Sequence, residues 1–307
     1  MAADEIYRRQ AALLIKVIPL VAAEACFALK GGTAINLFVR DMPRLSVDID
    51  LTFLPVADRL VSLTDIDAAL RRIDDRIRHA IRDAEVTAIP LRDEQHITKL
   101  LVRAEGAQIK VEVTPVLRGC VYEPESRAVS PMVETDFGFA EIKVVSFADL
   151  YAGKIVAALD RQHPRDLFDV RDLLANEGIT EDLRKAFIVY LLSHNRPFAE
   201  VLRPTRLDIS QEFARGFNGM TERPVSIDEL VQTREEIIAG IVGNMPDEHR
   251  RFLLSFKTGS PEWDLLGLKN VDALPAVRWR MANLAKLDQP KREELVQRLR
   301  EVLHVTE

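Results

Sequence analysis

Cysteine is almost missing from this chain. Its 307 residues hold two, Cys26 and Cys120, both in apolar surroundings and neither in a Cys-x-x-Cys pair. That excludes a disulfide framework and a cysteine-built metal centre, and it suits buried thiols in a reducing compartment. Histidine is equally uninformative: the six are scattered, with no His-x-x-x-His spacing to hold zinc and none near Ser46 to build a triad. A basic excess is lacking as well. The formal net charge of −6 carries no global nucleic-acid footprint, although a local basic groove can exist within an acidic total. Long apolar runs are absent. The longest, Leu13 to Leu29, is interrupted by Lys16 and Glu24 and punctuated by Pro19, so it falls short of a membrane span. The first ten residues, MAADEIYRRQ, carry Asp4 and Glu5 and do not read as a signal peptide. No repeat and no low-complexity segment stands out. A cytoplasmic protein is the default expectation.

What is present is an ordinary globular composition, 47% hydrophobic and 29% charged, over a length that supports two domains with separate cores. Residues 4–25 have helical spacing at Ile6, Ala11, Leu14, Ile15, Ile18 and Val21, with Pro19 expected to kink or divide the helix. Cys26 to Leu29 reads as a short strand, Gly31 to Val39 as a turn and helix, and Ser46 to Phe53 as a strand by its alternation. Residues 64–83 form an amphipathic helix with Thr64 or Asp65 as its cap and Leu70, Ile73, Ile77 and Ile81 as its stripe. Strands follow over 96–104 and 108–116, joined by Glu105-Gly106, then turns and short strands over 121–145. From Ser146 the pattern is helical to the end. The expected fold is therefore a bilobed α/β (α+β) chain: a mixed-sheet core over residues 1–145 and an all-helical domain over 146–307, with the boundary between 145 and 180.

The stretch Gly31-Gly32-Thr33 through Ser46-Val47-Asp48-Ile49-Asp50 carries the chemistry. On a strand, Asp48 and Asp50 project to one face ~7 Å apart, where two carboxylates can share a hard divalent cation. Alone, that pattern also describes a strand with two solvated acids. Glycines let backbone amides approach a phosphate closely, and the Thr33 hydroxyl adds a donor. Glu112, in the strand Ile109 to Val113, is a candidate third acid, as metal ligand or general base; its plain reading is edge-strand alternation with Lys110. Further along, Lys154 interrupts a small apolar helix, and Arg161, Arg165, Asp166 and Asp169 follow. Lysine and arginine can bind a triphosphate; equally, the aspartates can fix Lys154 or Arg161, or cap the helix that starts near Pro164.

In that order, these motifs resemble the AbiEii/AbiGii-type nucleotidyltransferase toxins, including the MenT group, of the DNA polymerase beta-like nucleotidyltransferase superfamily. The match covers about residues 27–175; beyond 180 only the helical character is shared. The resemblance implies a magnesium-dependent nucleotidyltransferase that moves a nucleoside monophosphate from a nucleoside triphosphate to an acceptor hydroxyl. Several members transfer to the 3′ end of tRNA, and a cognate antitoxin usually accompanies them. It implies that Asp48 and Asp50 bind metal with Glu112, that Gly31, Gly32 and Thr33 cradle phosphate, and that Lys154 and Arg165 bind the triphosphate. Asp166 would be the helical-domain catalytic acid. Ser46 is implied near the phosphates and as the serine on which a partner kinase acts in some such toxins. An RNA acceptor would use a local patch drawn from Arg40, Arg44, Arg161 and Arg165. A second set, Arg278, Arg280, Lys286, Lys291 and Arg292, alternates with acids and reads as a solvated face. The other readings are transfer to a protein or small molecule, and a nucleotide-binding regulator without turnover.

Overall fold

The computed structural model of the chain describes residues 2–92 and 94–305, with side chains from residue 5 onward. They form two compact units, Met1–Ser146 with Met220–Arg223, and Phe147–Gly219 with Pro224–Glu307.

The first unit runs α1 (Ala2–Ala22), β1 (Phe27–Lys30), α2 (Gly31–Ala34) with a π-helical continuation Ile35–Val39, β2 (Asp48–Phe53), α3 (Arg59–Ala80), β3 (Glu85–Pro90), β4 (Ile97–Ala104), β5 (Ala107–Arg118), β6 (Glu125–Ala128), α4 (Pro131–Phe137) and β7 (Glu141–Val144). The seven strands make one mixed sheet in the order β3-β4-β5-β2-β1-β7-β6. β2 lies inside it, antiparallel to β1 and parallel to β5. Its alternate residues Ile49, Leu51 and Phe53 are buried, as are Val111 and Val113 beside them, and α1 and α3 pack on the sheet. The cross-strand pair Phe27–Phe53, ring centroids 6.0 Å apart and edge-on, pins the register of β1 on β2.

Several details differ from the sequence reading. Pro19 lies in the last turn of α1, so its missing N–H costs a short terminal stub and the helix is not divided. Ile6, expected on the apolar stripe, is exposed. α3 begins at Arg59, after Asp58 at its N-cap, rather than near Thr64; Thr64 lies inside it and its Oγ1 donates back to the Leu60 carbonyl at 3.0 Å instead of capping. Leu60 and Val61 are exposed, so that first turn breaks the stripe from which the helix was inferred. β5 is interior, between β4 and β2, so edge-strand alternation does not explain Glu112. The cysteines are half-buried rather than buried. The hairpin at Glu105-Gly106 forms as expected, with φ of 51° and 73°.

The second unit is helical: α5 (Phe147–Arg161), α6 (Pro164–Asn176), α7 (Glu181–Leu192), α8 (Phe198–Leu202), α9 (Ser210–Gly216), α10 (Ile227–Ile238), α11 (Asp247–Thr258), α12 (Pro275–Ala285) and α13 (Gln289–Leu303). One segment of the second half belongs to the first unit: Met220–Arg223 lies along residues 43–45, with Leu45 N donating to Met220 O and Glu222 N to Pro43 O, both at 3.0 Å.

At the C-terminal end of α1, buried Glu24 accepts from Arg72 at 2.6 Å and from Arg76 at 2.6 Å, tying α1 to α3. The Arg72 hydrogen bond, against a smaller opposing effect of burial, holds this carboxyl below its ordinary value of 4.5. A depressed carboxyl stabilises the fold above its ordinary value and loses that contribution as pH falls through the lowered one. Glu24→Gln is expected to cost about 1–3 kcal/mol at neutral pH. In urea unfolding, the gap to wild type should close in acid.

Candidate active site

The register of β1, β2 and β5 sets the site. Asp50 is the Cα partner of Lys30 on one side and of Glu112 on the other, and Glu112 is in turn opposite Lys99 on β4. Asp48 faces Lys110 one step earlier. Because strand side chains alternate, all six lie on one face, with acids and lysines interleaved. Lys110 Nζ sits 2.9 Å from Glu112 Oε2 and 3.5 Å from Asp48 Oδ2, while Lys99 Nζ lies 3.2 Å from Glu112 Oε1. Lys30 Nζ donates to Thr114 Oγ1 at 2.9 Å.

Electrostatics divides the acids. Burial raises the Asp50 carboxyl above its ordinary value; Lys110 and Lys30 oppose the shift, Asp48 and Glu112 add to it, and the net direction is up. Burial alone would raise Glu112 too, but Lys110 and Lys99 outweigh it and the net direction is down. Burial lowers Lys30 despite Asp50 nearby, whereas Lys110 ends above its ordinary value because the acids outweigh its burial. Asp50 is thus the acid whose charge is least compensated.

The glycine pair closes on this row. β1 ends at Lys30, and Gly31 turns with φ 77° directly against Asp50: a Cβ there would lie 2.9 Å from Asp50 Oδ2. A Cβ at Gly32 would lie 2.8 Å from both Arg44 Nη2 and Ser46 Oγ. Thr33 is buried, its hydroxyl 3.1 Å from Ser46 Oγ, and Asn36 Nδ2 holds the Gly32 carbonyl at 2.8 Å. Gly31, Gly32, Thr33, Ser46, Asp48, Asp50 and Glu112 therefore gather in one unit. Arg44, expected in a local basic patch for an RNA acceptor, is instead buried beneath Gly32, its Nη1 on the Leu45 carbonyl at 2.8 Å. Sequence reasoning missed Lys30 and Lys99 and gave Lys110 no role. The signal was a lysine at period two from each acid on a paired strand, which requires knowing the pairing.

Among the described residues, no three histidine, cysteine or acidic side chains form a ready metal cluster. The donor chemistry still fits a hard cation: two half-buried carboxylates on one strand face, one of them, Asp50, pushed up by desolvation.

Lys154, Arg161, Asp166 and Asp169 meet in the helical unit. Lys154 is buried on α5, its Nζ 2.9 Å from Asp166 Oδ1 and 3.0 Å from Asp169 Oδ2 on α6. Arg161 binds Asp166 in a fork at 2.5 and 3.0 Å. Burial would raise Asp166, but Lys154 and Arg161 together hold it below the carboxylate range. The ammonium expected to meet a triphosphate thus has its charge engaged between two buried aspartates. The N-cap of α6 is His163, not Asp166, and Arg165 is exposed at the first turn.

The family model described as "Nucleotidyl transferase AbiEii toxin, Type IV TA system" matches residues 12–283. The chain belongs to the AbiEii nucleotidyltransferase toxin family. Its fold is also that of a solved relative, MenT4, a nucleotidyltransferase toxin from Mycobacterium tuberculosis H37Rv. The two are 18% identical with a TM-score of 0.57, over 98% of this chain and 96% of that one. No curated protein matches. As an AbiEii-family member the chain is a nucleotidyltransferase, an enzyme that uses a nucleoside triphosphate, and its family is that of type IV toxin–antitoxin systems, which implies an antitoxin partner. Among the described residues no helix is long and apolar enough to cross a membrane.

The buried cluster of the helical unit predicts its own cost. Lys154→Met leaves Asp166 with Arg161 alone and Asp169 without its lysine, and is expected to destabilise the protein by about 3–5 kcal/mol, the range for breaking a buried pair from one side. Chemical unfolding of the variant measures this directly.

Proposed function

We propose that this AbiEii-family chain transfers a nucleoside monophosphate to the 3′ end of tRNA, using magnesium held by Asp48 and Asp50. The observation that carries this reading is the Asp50 carboxylate fixed between its strand partners and the Gly31 backbone, under-compensated in charge and beside a glycine turn. Magnesium, when bound there, neutralises charge that develops on the transferring phosphoryl group. Gly31 and Gly32 leave the backbone bare, so a triphosphate can come close to the turn, and Ser46, its hydroxyl held by that of buried Thr33, stands at its edge. The acceptor hydroxyl attacks the α-phosphate in line and gives up its proton to Glu112 as general base; the bond to the β-phosphate oxygen breaks and pyrophosphate leaves. Lys110, already bridging Asp48 and Glu112, is a cation at hand for the phosphates. As it turns to them, Glu112 Oε2 is released toward the acid pair while Oε1 stays with Lys99. The tRNA acceptor rests on the family resemblance, as does the reading of Ser46 as the place where a partner kinase would silence the enzyme: a phosphate on Oγ would crowd Gly32 and repel both the triphosphate and Asp48.

The test is transfer of label from each of the four nucleoside triphosphates, supplied singly with magnesium and total RNA. Nuclease-sensitive label at tRNA 3′ ends is expected, abolished in Asp48→Ala. Gly31→Ala, whose methyl would displace the Asp50 carboxylate, should lower the rate by about 10²-fold. Protease-sensitive label would make the acceptor a protein, and an unlabelled product with every nucleotide would end the transfer reading.

A further inference from the structure

In the helical unit, one buried lysine has no counter-charge among the described residues. Lys257 on α11 is 4% exposed. Among the described residues no carboxylate lies within ion-pair distance of it and no acceptor takes its hydrogen bonds. Its neighbour is the face of Phe198, 5.1 Å from Nζ to the ring centroid, and the Arg280 guanidinium lies 5.0 Å from the same ring. A cation–π contact returns on the order of 1–2 kcal/mol, less than the several kcal/mol that burying an ammonium costs. Two cations therefore converge on one ring with no anion between them.

That lysine lines a cleft of ≈ 200 Å³ between α8 and α13. The cleft is half apolar: Phe198 and Ala199 on one side, Leu295, Leu299 and Val302 on the other. Its size resembles that of a cavity that accepts a single aromatic ring, about 150 Å³. Arg203 stands among its lining residues as further positive charge, and Arg298, also lining it, is 3.8 Å from Glu294. Of the two acids that line it, Glu200 is 3.5 Å from Arg196 Nε, and Glu301 is exposed to solvent and accepts from Gln297 at 3.5 Å.

We infer that this cleft is a binding site for a small organic anion, an apolar acyl or aryl body bearing one carboxylate that pairs with Lys257. The shape and the charge are both needed. An inorganic anion would satisfy the ammonium and leave the apolar walls wet, and a neutral hydrocarbon would fill the walls and leave the ammonium unpaired. The site shares no residue with the acidic row on the sheet and needs no nucleotide.

The free lysine also sets the pH dependence. Burial first, and then Arg280, push its value down to about 8; Arg203, Arg298, Glu200 and Glu301 are the other charged groups lining the cleft. A bound carboxylate favours the protonated form, so binding takes up a proton once the free lysine has lost its own. Affinity should be flat below pH 8 and weaken about tenfold per pH unit above it.

Thermal shift and calorimetry on the full chain test this with benzoate and hexanoate, against benzyl alcohol as the neutral match and inorganic phosphate as the bare anion. Benzoate or hexanoate at millimolar concentration should raise Tm with the stated pH profile, and the controls should not. Lys257→Met should fold at least as stably as wild type, because it removes an unpaired buried charge at similar volume, and should lose the shift. Ala199→Phe, which fills the cleft and keeps the lysine, should lose it too. The inference is overturned if neither acid stabilises the wild type, if phosphate or benzyl alcohol does as well as the acids, or if the shift survives in either variant.

Discussion

Everything in the first unit hangs on β2 being paired along both edges. A strand held only on one side could slip by a residue and turn Asp48 and Asp50 into the apolar layer under α1. Held by β1 and β5 together, with Phe27 against Phe53 at one end, it has one register, and that register fixes which lysine stands beside which acid. The glycine turn follows from it. Lys30 is the last residue of β1 and the partner of Asp50, so the chain must leave the sheet over the Asp50 carboxylate, and only a residue without a Cβ fits at Gly31.

The row of charges that results is under tension. Two of its members, Asp50 and Lys30, are pushed toward their neutral forms by burial, while Lys110 and Glu112 hold each other charged. A sheet selected for stability alone would carry threonine or valine there. Under the proposed function, uncompensated charge on a rigid strand next to a bare backbone turn serves phosphoryl transfer: donors fixed before the substrate arrives, at an energetic cost the rest of the fold absorbs. The helical unit shows the opposite arrangement. Lys154, Asp166, Asp169 and Arg161 satisfy one another, and their arrangement holds α5 to α6.

The alternation of residues 46–53, the hairpin at Glu105-Gly106 and the helical second half were legible from the sequence because each is local: period, turn chemistry and capping act within a few residues. Glu112 was legible as a strand acid, yet its neighbours were not, since strand order is decided by contacts between segments some sixty residues apart. The same limit hid β3, whose single buried residue, Val86, gives no readable period. It also hid the return of Met220–Arg223 to residues 43–45. Lys154 could be read equally as a phosphate ligand or as an ion-pair partner, because a lysine on a small apolar helix looks the same in both roles until its acids are placed.

The central claim is that Asp50 is held on the sheet at a cost to stability. Urea unfolding of wild type and Asp50→Asn across pH tests it most directly. A carboxyl whose value is raised in the fold contributes fully in acid and loses that contribution as pH rises through the raised value. The Asn variant is therefore expected to be as stable as wild type in acid and more stable at neutral pH, while losing nucleotide transfer. An Asn variant that is less stable at neutral pH, or a difference that does not change with pH, would contradict it.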